Sequence, residues 1–507
     1  MARSELAGRV REAIEIDLDQ FHEQVRLDGN RITEEIGAGV FDNPQAIIGF
    51  EYELYAADIE TNALRRVPRR LLEYIGFEKE LGLHNAEMST SPQPLNEDGL
   101  RAQEAEIRSR LAAALQTTEA EGMRLVSDGM WTIPPIGESA ADYLGASVED
   151  GGVQLATNMS ESVRYHAMAN AKGEIRPAMC IEVPHVTFTA TTVMPESLIT
   201  SIQPHYQVPH AMDLPDHFNY ALRIAGPLVA LGANSPVFPP DLYDDDDPRD
   251  IIASAWHSNR IFVFESVLNP IDATRTNRKV RFPRDLDSVE QAVERVVAEP
   301  TLVTVPIDKT GRYDDQFGHF RLKHGTHWRW IRPVFDGATR SDANARIEFR
   351  PIGAQPTVDD SVGFLVLFAG LMESLPRRAH PVIDMSWKRA RENFYTGARD
   401  GIDGIFEWID NDGAVTNDTS VIFEEIFAHA RDGLNLRGFS TATIDAWVSP
   451  LERRVEIGRT PAQWKLDRIA TELADGATLE SAITSMQRGY IAKQDETLLT
   501  GTFADWS

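Results

Sequence analysis

Residues Gly49 to Asp58 read GFEYELYAAD, and the reading of this stretch decides the fold. Aromatic residues crowd it and turn residues flank it, so it predicts a β-strand. Glu51 and Glu53 sit inside it, two apart. Strand side chains alternate between faces, so both carboxylates point the same way. Such a pair either lies on a solvated edge or repels until a cation sits between the two groups.

Three further stretches have the same character. EKELGLHNAEMSTSPQP (78–94) carries Glu80 and Glu87, with Asn85, Glu87 and Ser89 on one strand face. MCIEVPHVTFTA (179–190) places His185 in a strand otherwise apolar on both sides. In ARIEFRPIGAQP (345–356), Glu348 and Arg350 share a face while Ile347 and Phe349 point to the other. Taken singly, His185 fits a hydrogen-bonded core histidine and Glu348–Arg350 an ordinary strand ion pair. Together these groups form an oxygen-rich ligand set with one nitrogen, which suits magnesium or manganese better than zinc.

The remainder of the chain sets limits. Its 507 residues, 42% hydrophobic and 25% charged, are enough to bury a large core in one or two domains. The longest clean apolar run, GFLVLFAGLM (363–372), is too short to span a membrane. The charged opening MARSELAGRVREAIEIDLDQ lacks a signal-peptide core, and the single cysteine, Cys180, suits a reducing cytoplasm. A net charge of −28 argues against nucleic acid as a partner. Only 8 of the 50 basic residues are lysine. Abundant acid with scarce lysine fits a salt-rich cytoplasm that screens self-repulsion, or simply an acidic protein from a GC-rich genome.

Strands are predicted at 47–57, 84–90, 123–127, 178–191, 301–307, 327–333 and 344–352. Helices are predicted at 97–121, 195–204, 213–231, 249–266, 286–298 and 357–376, and almost throughout after 380. A strand-rich middle with a helical end predicts an α+β fold. Neither a G-x-G-x-x-G after a strand nor a P-loop occurs. The domains expected are a helical extension (1–46), a catalytic domain (47–400) and a helical C-terminal part (401–507). The run DLYDDDDPRD (241–250) reads as a solvated acidic turn.

Six blocks in order, from Gly49 to Gly401, resemble the glutamate–cysteine ligase superfamily, in particular its carboxylate–amine ligase branch. GFEYELY resembles that branch's G-x-E-x-E opening strand, and LHNAEMSTSP the strand whose glutamate is followed by threonine and proline. VPHVTF resembles an H-V-H-V strand, with Val183 in place of its first histidine. LVALGANSPVF, HWRWIRPVFDGATRSDANARIEFRPIGAQPTVDD and ARENFYTGARDGI resemble its later segments, and RTPAQWKLDRIA fits its helical end.

The resemblance implies a curved, mostly antiparallel sheet like the catalytic half of glutamine synthetase, forming a funnel for ATP and Mg2+ (or Mn2+). It implies that glutamate's side-chain carboxylate is phosphorylated by ATP and that an amine, that of cysteine in the named enzymes, displaces phosphate. By the match, Glu51, Glu53, Glu80, Glu87, His185 and Glu348 are metal ligands. Arg350 neutralises the phosphoryl oxygens, and Arg332 and Arg260 bind phosphate or the substrate α-carboxylate. A different acceptor amine, or a family member that binds without catalysing, are the alternatives.

Overall fold

The computed structural model describes residues 3–15, 17–274, 277–307 and 309–506. Of the predicted N-terminal helical segment, residues 1, 2 and 16 lie outside the described residues. The chain is α+β, built on a curled antiparallel sheet shaped as a half-barrel. Its eight strands are β1 (Ile47–Asp58), β2 (Glu78–Lys79), β3 (Asn85–Ser89), β4 (Gln93–Pro94), β5 (Met123–Val126), β6 (Ile202–Val208), β7 (Ile331–Asp336) and β8 (Asn344–Phe349).

The quoted stretch lies within the central strand. Strand β1 is twelve residues long and has neighbours along both edges. Ile48 pairs with Tyr206 of β6 on one side and Gln93 of β4 on the other. Tyr55 pairs with Asn85 of β3 and Val126 of β5. Beyond β6 the sheet continues through β8 to β7, and beyond β3 to β2.

Alternation along β1 separates two faces. Ile48, Phe50, Tyr52 and Leu54 are buried, and with Tyr206, Ile347 and Phe349 they form the apolar underside. The underside rests on helices Leu214–Leu231 and Val358–Arg378, where Phe349 stacks on Phe368 at 4.7 Å between ring centroids. The latter helix meets helix Thr419–Leu436 at glycines on both sides. A Cβ on Gly433 would lie 1.9 Å from the Gly370 carbonyl oxygen, so no larger residue fits there.

The N-terminal extension is two helices, Arg3–Ile14 and Leu18–Gly37, whose apolar faces join the main core. After 380 the chain is helical apart from a small hairpin, Trp408–Ile409 with Val415–Thr416.

Several predicted elements differ. The single strand over 178–191 is a separate hairpin, Cys180–Val183 with Val186–Thr189, because Pro184 cannot donate to a ladder and His185 takes a left-handed φ of 63°. The helix over 195–204 is only a short 3-10 turn, Met194–Leu198, after which β-branched Ile199, Thr200 and Ile202 lead into β6. Residues 301–307 form no ladder among the described residues. The helix over 249–266 breaks into Pro248–Ala253 and Asn259–Leu268, since 257–259 bond to backbone at 235, 398 and 399.

The helical end is bound to the body by a buried ion pair. Lys465, on helix Pro461–Ala474, bonds Asp128, and its Nζ also donates to the Asn234 carbonyl at 2.9 Å. Burial pushes the Asp128 carboxyl up and the Lys465 ammonium down, so each charge depends on the other. Lys465→Met is expected to cost about 3–5 kcal/mol of stability by leaving Asp128 uncompensated. Arg453→Ala, which breaks an exposed pair with Glu456, should cost under about 0.5 kcal/mol. Chemical denaturation of the two variants checks this difference.

Candidate active site

Directly paired residues of a sheet share a face, so the register writes the polar row of the upper face. Arg332 on β7 pairs with Glu348 on β8, and Glu348 with His205 on β6. His205 pairs with Gly49 on β1, where the missing side chain leaves Glu51, two residues on, beside the imidazole. Glu53 pairs with Glu87 on β3.

The donor atoms converge. One ligand atom each from Glu51, His205 and Glu348 lie within 4.8 Å of one another, with His205 Nε2 at 3.5 Å from Glu51 Oε1. Burial holds the His205 imidazole down to about 4, so the ring is neutral near pH 7. Its buried Nε2 has no hydrogen-bond partner. A neutral imidazole with an unspent nitrogen between two carboxylates is the donor set of a divalent cation, and these residues fit one.

The electrostatics divide the carboxylates into two kinds. Burial and the neighbouring Glu348 push Glu51 up to about 8. Burial and Glu80 raise Glu53 and carry Glu87 well above the usual range. Burial also raises Glu196 to about 8, with Glu80 and Glu53 adding to it. Glu348 is the exception. Burial opposes its ionisation, yet Arg332, Arg350 and Arg346 outweigh it and hold the carboxyl well below the usual range. Arg332 bonds it at 2.6 Å and Arg350 at 3.4 Å, and Arg346 forms a looser ion pair with it at 3.6 Å.

Two cavities meet at Glu51. One, of about 590 Å3, runs over β1, β6 and the loop after β7, past Ile47, Thr90, Pro92, Gln207 and Arg346. The other, of about 220 Å3, is lined by Glu51, Glu53, Glu80, Glu196, Arg332 and Arg350. Leu81, Met168, Phe264 and Trp328 form its apolar wall. Glu53 is held by Ser201 N at 2.6 Å, Ser201 Oγ at 2.8 Å and Gln203 Nε2 at 3.0 Å.

Of the residues singled out in the sequence, Glu51, Glu53, Glu80, Arg332 and Arg350 line the small chamber. Glu87 lies opposite Glu53, and Glu348 joins Glu51 and His205. Arg260, on helix Asn259–Leu268, stacks over the Trp330 ring at 5.4 Å. Its Nε and Nη1 are buried without hydrogen-bond partners. Burial lowers it to about 10, against the pull of Glu53.

His185 stands apart. At its hairpin turn it bonds Asp246 at 2.7 Å and Ser254 Oγ at 2.8 Å, and it is not among the clustered donors. His205 supplies the imidazole instead. Its signal was the alternation Gln203, His205, Gln207, hidden by reading 195–204 as helix. Arg346, Arg164, Tyr165 and Glu196 also line the two cavities, and no spacing in the sequence marks the last three.

No curated protein sequence matches the chain. Among solved structures, Francisella tularensis glutamate–cysteine ligase in complex with AMP superposes with a TM-score of 0.52 at 14% identity, covering 90% of this chain and 91% of that one. A bifunctional glutathione synthetase from Pasteurella multocida gives 0.47 at 13% identity, covering 92% and 55%. The first likeness shows the fold. The family match makes the protein an ATP-dependent carboxylate–amine ligase. More narrowly, the chain belongs to glutamate–cysteine ligase family 2 (GCS2), whose sequence model matches residues 47–496.

The raised carboxyls have a consequence for stability. Carboxyls with folded values near 8 and unfolded values near ~4.3 leave the folded protein holding more protons in that window. Stability of the cation-free protein is therefore present at low pH and is lost as pH rises towards 8. Cation binding needs the ionised form, so stabilisation by Mg2+ or Mn2+ grows over the same range. Thermal melts in chelator should fall between pH 6 and 8.5, with a cation-induced gain that widens. A gain independent of pH would contradict this.

Proposed function

We propose that the protein joins the γ-carboxylate of glutamate to the amine of cysteine through an acyl phosphate, using ATP with Mg2+ or Mn2+. The observation that carries this reading is the Glu51–His205–Glu348 cluster at the junction of a nucleotide-sized cleft and a smaller chamber. The cleft lies within the ~300–1,000 Å3 usual for larger ligands, and the chamber is sized for amino acids.

Glu51, His205 and Glu348 would hold the cation, with Glu53, Glu80 and Glu87 around them. A divalent cation bound there supplies positive charge over the phosphoryl group being transferred. Arg350, just past the end of β8, and Arg332 on the adjoining β7 face the same place, and they neutralise phosphoryl oxygens as charge moves towards them. Their forks also keep Glu348 ionised, so the strongest acid of the set is ready to bind a cation. Glu53, fixed by Ser201 and Gln203, gives the chamber a rigid floor. The glutamate carboxylate attacks the γ-phosphorus from the chamber side, and the amine then displaces phosphate. Arg260 is a candidate for the substrate α-carboxylate, because its buried N–H groups are unspent.

Glu51→Gln should lower ADP release by about 100-fold or more, since charge developing in the transition state is left unbalanced. Near-normal ADP release by that variant would remove the cation site from the reaction. With glutamate and ATP, cysteine should release ADP faster than alanine, serine or glycine. Turnover with another amine and none with cysteine would reassign the acceptor.

Glu348 and Arg350 should differ in kind. Glu348→Gln should shift the magnesium requirement upward, so that added magnesium restores part of the rate. Arg350→Ala should lower turnover with little change in that requirement, and lysine there should rescue only in part. ADP release against magnesium concentration, with melts as a folding control, checks this. Identical magnesium responses and equal destabilisation would reduce the two residues to an ion pair.

A further inference from the structure

We propose that Glu196 receives the ammonium group of the acceptor amino acid and takes up a proton as the amide forms; this rests on the ligase reading above. Glu196 sits on the 3-10 turn Met194–Leu198, off the sheet, and its side chain lines the 220 Å3 chamber. Four other carboxylates of the region have polar neighbours of their own, and Glu87 lies opposite Glu53 on β3. Glu51 faces His205, Glu53 accepts from Ser201 and Gln203, Glu80 accepts from Leu81 N, and Glu348 is gripped by arginines. Among the described residues the Glu196 carboxylate makes no hydrogen bond or ion pair. It also lies outside the cluster whose donors converge on one point.

Its surroundings complete a receptor for a zwitterion. Arg164 lines the same chamber, and its buried Nε has no hydrogen-bond partner. Met168, Phe264, Leu268 and Trp328 form the wall alongside. An amino acid there has its ammonium at Glu196, its carboxylate at Arg164 and a small apolar or sulfur-bearing side chain against Met168 and the aromatic rings. Arg260 and Arg350 attract Glu196 without bonding it, and an ammonium in the chamber is the directly bonded cation that completes it.

The chemistry balances. The ammonium gives one proton to Glu196, and the freed nitrogen lone pair attacks the acyl carbon. The C–O bond to the phosphoryl group breaks, its electron pair leaving with phosphate. The second nitrogen proton departs with that phosphate as HPO4(2−), and Glu196 returns its proton to water. The net result is an amide, HPO4(2−) and one proton from an acyl phosphate and an ammonium.

Hydroxylamine separates this role from a structural one, because it is an uncharged nucleophile at pH 7.5 and brings no ammonium. The experiment compares wild type and Glu196→Gln with ATP, magnesium and glutamate, using either cysteine or hydroxylamine, together with thermal melts. The variant should need at least about tenfold more cysteine for half-saturation and turn over more slowly. Hydroxamate formation should fall far less. Its melting temperature should equal or exceed that of wild type, since a carboxyl whose charge is disfavoured by burial and then by Glu80 and Glu53 is gone. Equal loss of both reactions, or recovery of the cysteine reaction by added magnesium, would overturn the assignment and make Glu196 a structural group or a cation ligand. A wild type that releases no ADP with either nucleophile would overturn the ligase reading itself.

Discussion

Everything at the site depends on the pairing of one strand along both its edges. Strand β1 is held by β6 and β5 on one side and by β4 and β3 on the other. A slip of one residue would turn Phe50 and Tyr52 to the polar side and Glu51 and Glu53 into the apolar underside. The burial of Ile48, Phe50, Tyr52 and Leu54 therefore fixes where the carboxylates point. The same register aligns Arg332, Glu348 and His205 across three strands and ends the row at Gly49. Packing on one face sets chemistry on the other.

That chemistry works against the fold until a ligand arrives. Glu51, Glu53, Glu87 and Glu196 are all pushed towards the protonated form by burial and by one another. Glu348 is held well below the usual carboxylate range, three arginines outweighing its burial. These carboxylates store electrostatic tension beside a fixed cationic fork, and a bound cation would relieve part of it. The buried Lys465–Asp128 pair and the apposed Gly370 and Gly433 secure the helical end independently of that site.

The sequence was legible where periodicity and chemistry agreed. GFEYELYAAD shows a strand and a carboxylate face in the same ten residues, and NARIEF does the same for Glu348. Helices with long amphipathic patterns, such as Glu97–Glu119 and Leu214–Leu231, were equally clear. The misreadings have local causes. Pro184 turned a long apolar run into a hairpin and carried His185 to Asp246. The apolar residues of 195–204 suited a helical spacing, which concealed β6 and with it His205 and Gln203. Arg164 and Glu196 come from short elements without a strong period, and only the tertiary fold brings them into the chamber.

The most direct test of the central claim follows oxygen through the reaction. Glutamate labelled with 18O in its γ-carboxylate is turned over with ATP and the amine acceptor, and the released phosphate is analysed by mass. Activation of that carboxylate by ATP on this sheet transfers one labelled oxygen to each phosphate formed. ADP release accompanied by unlabelled phosphate would contradict it.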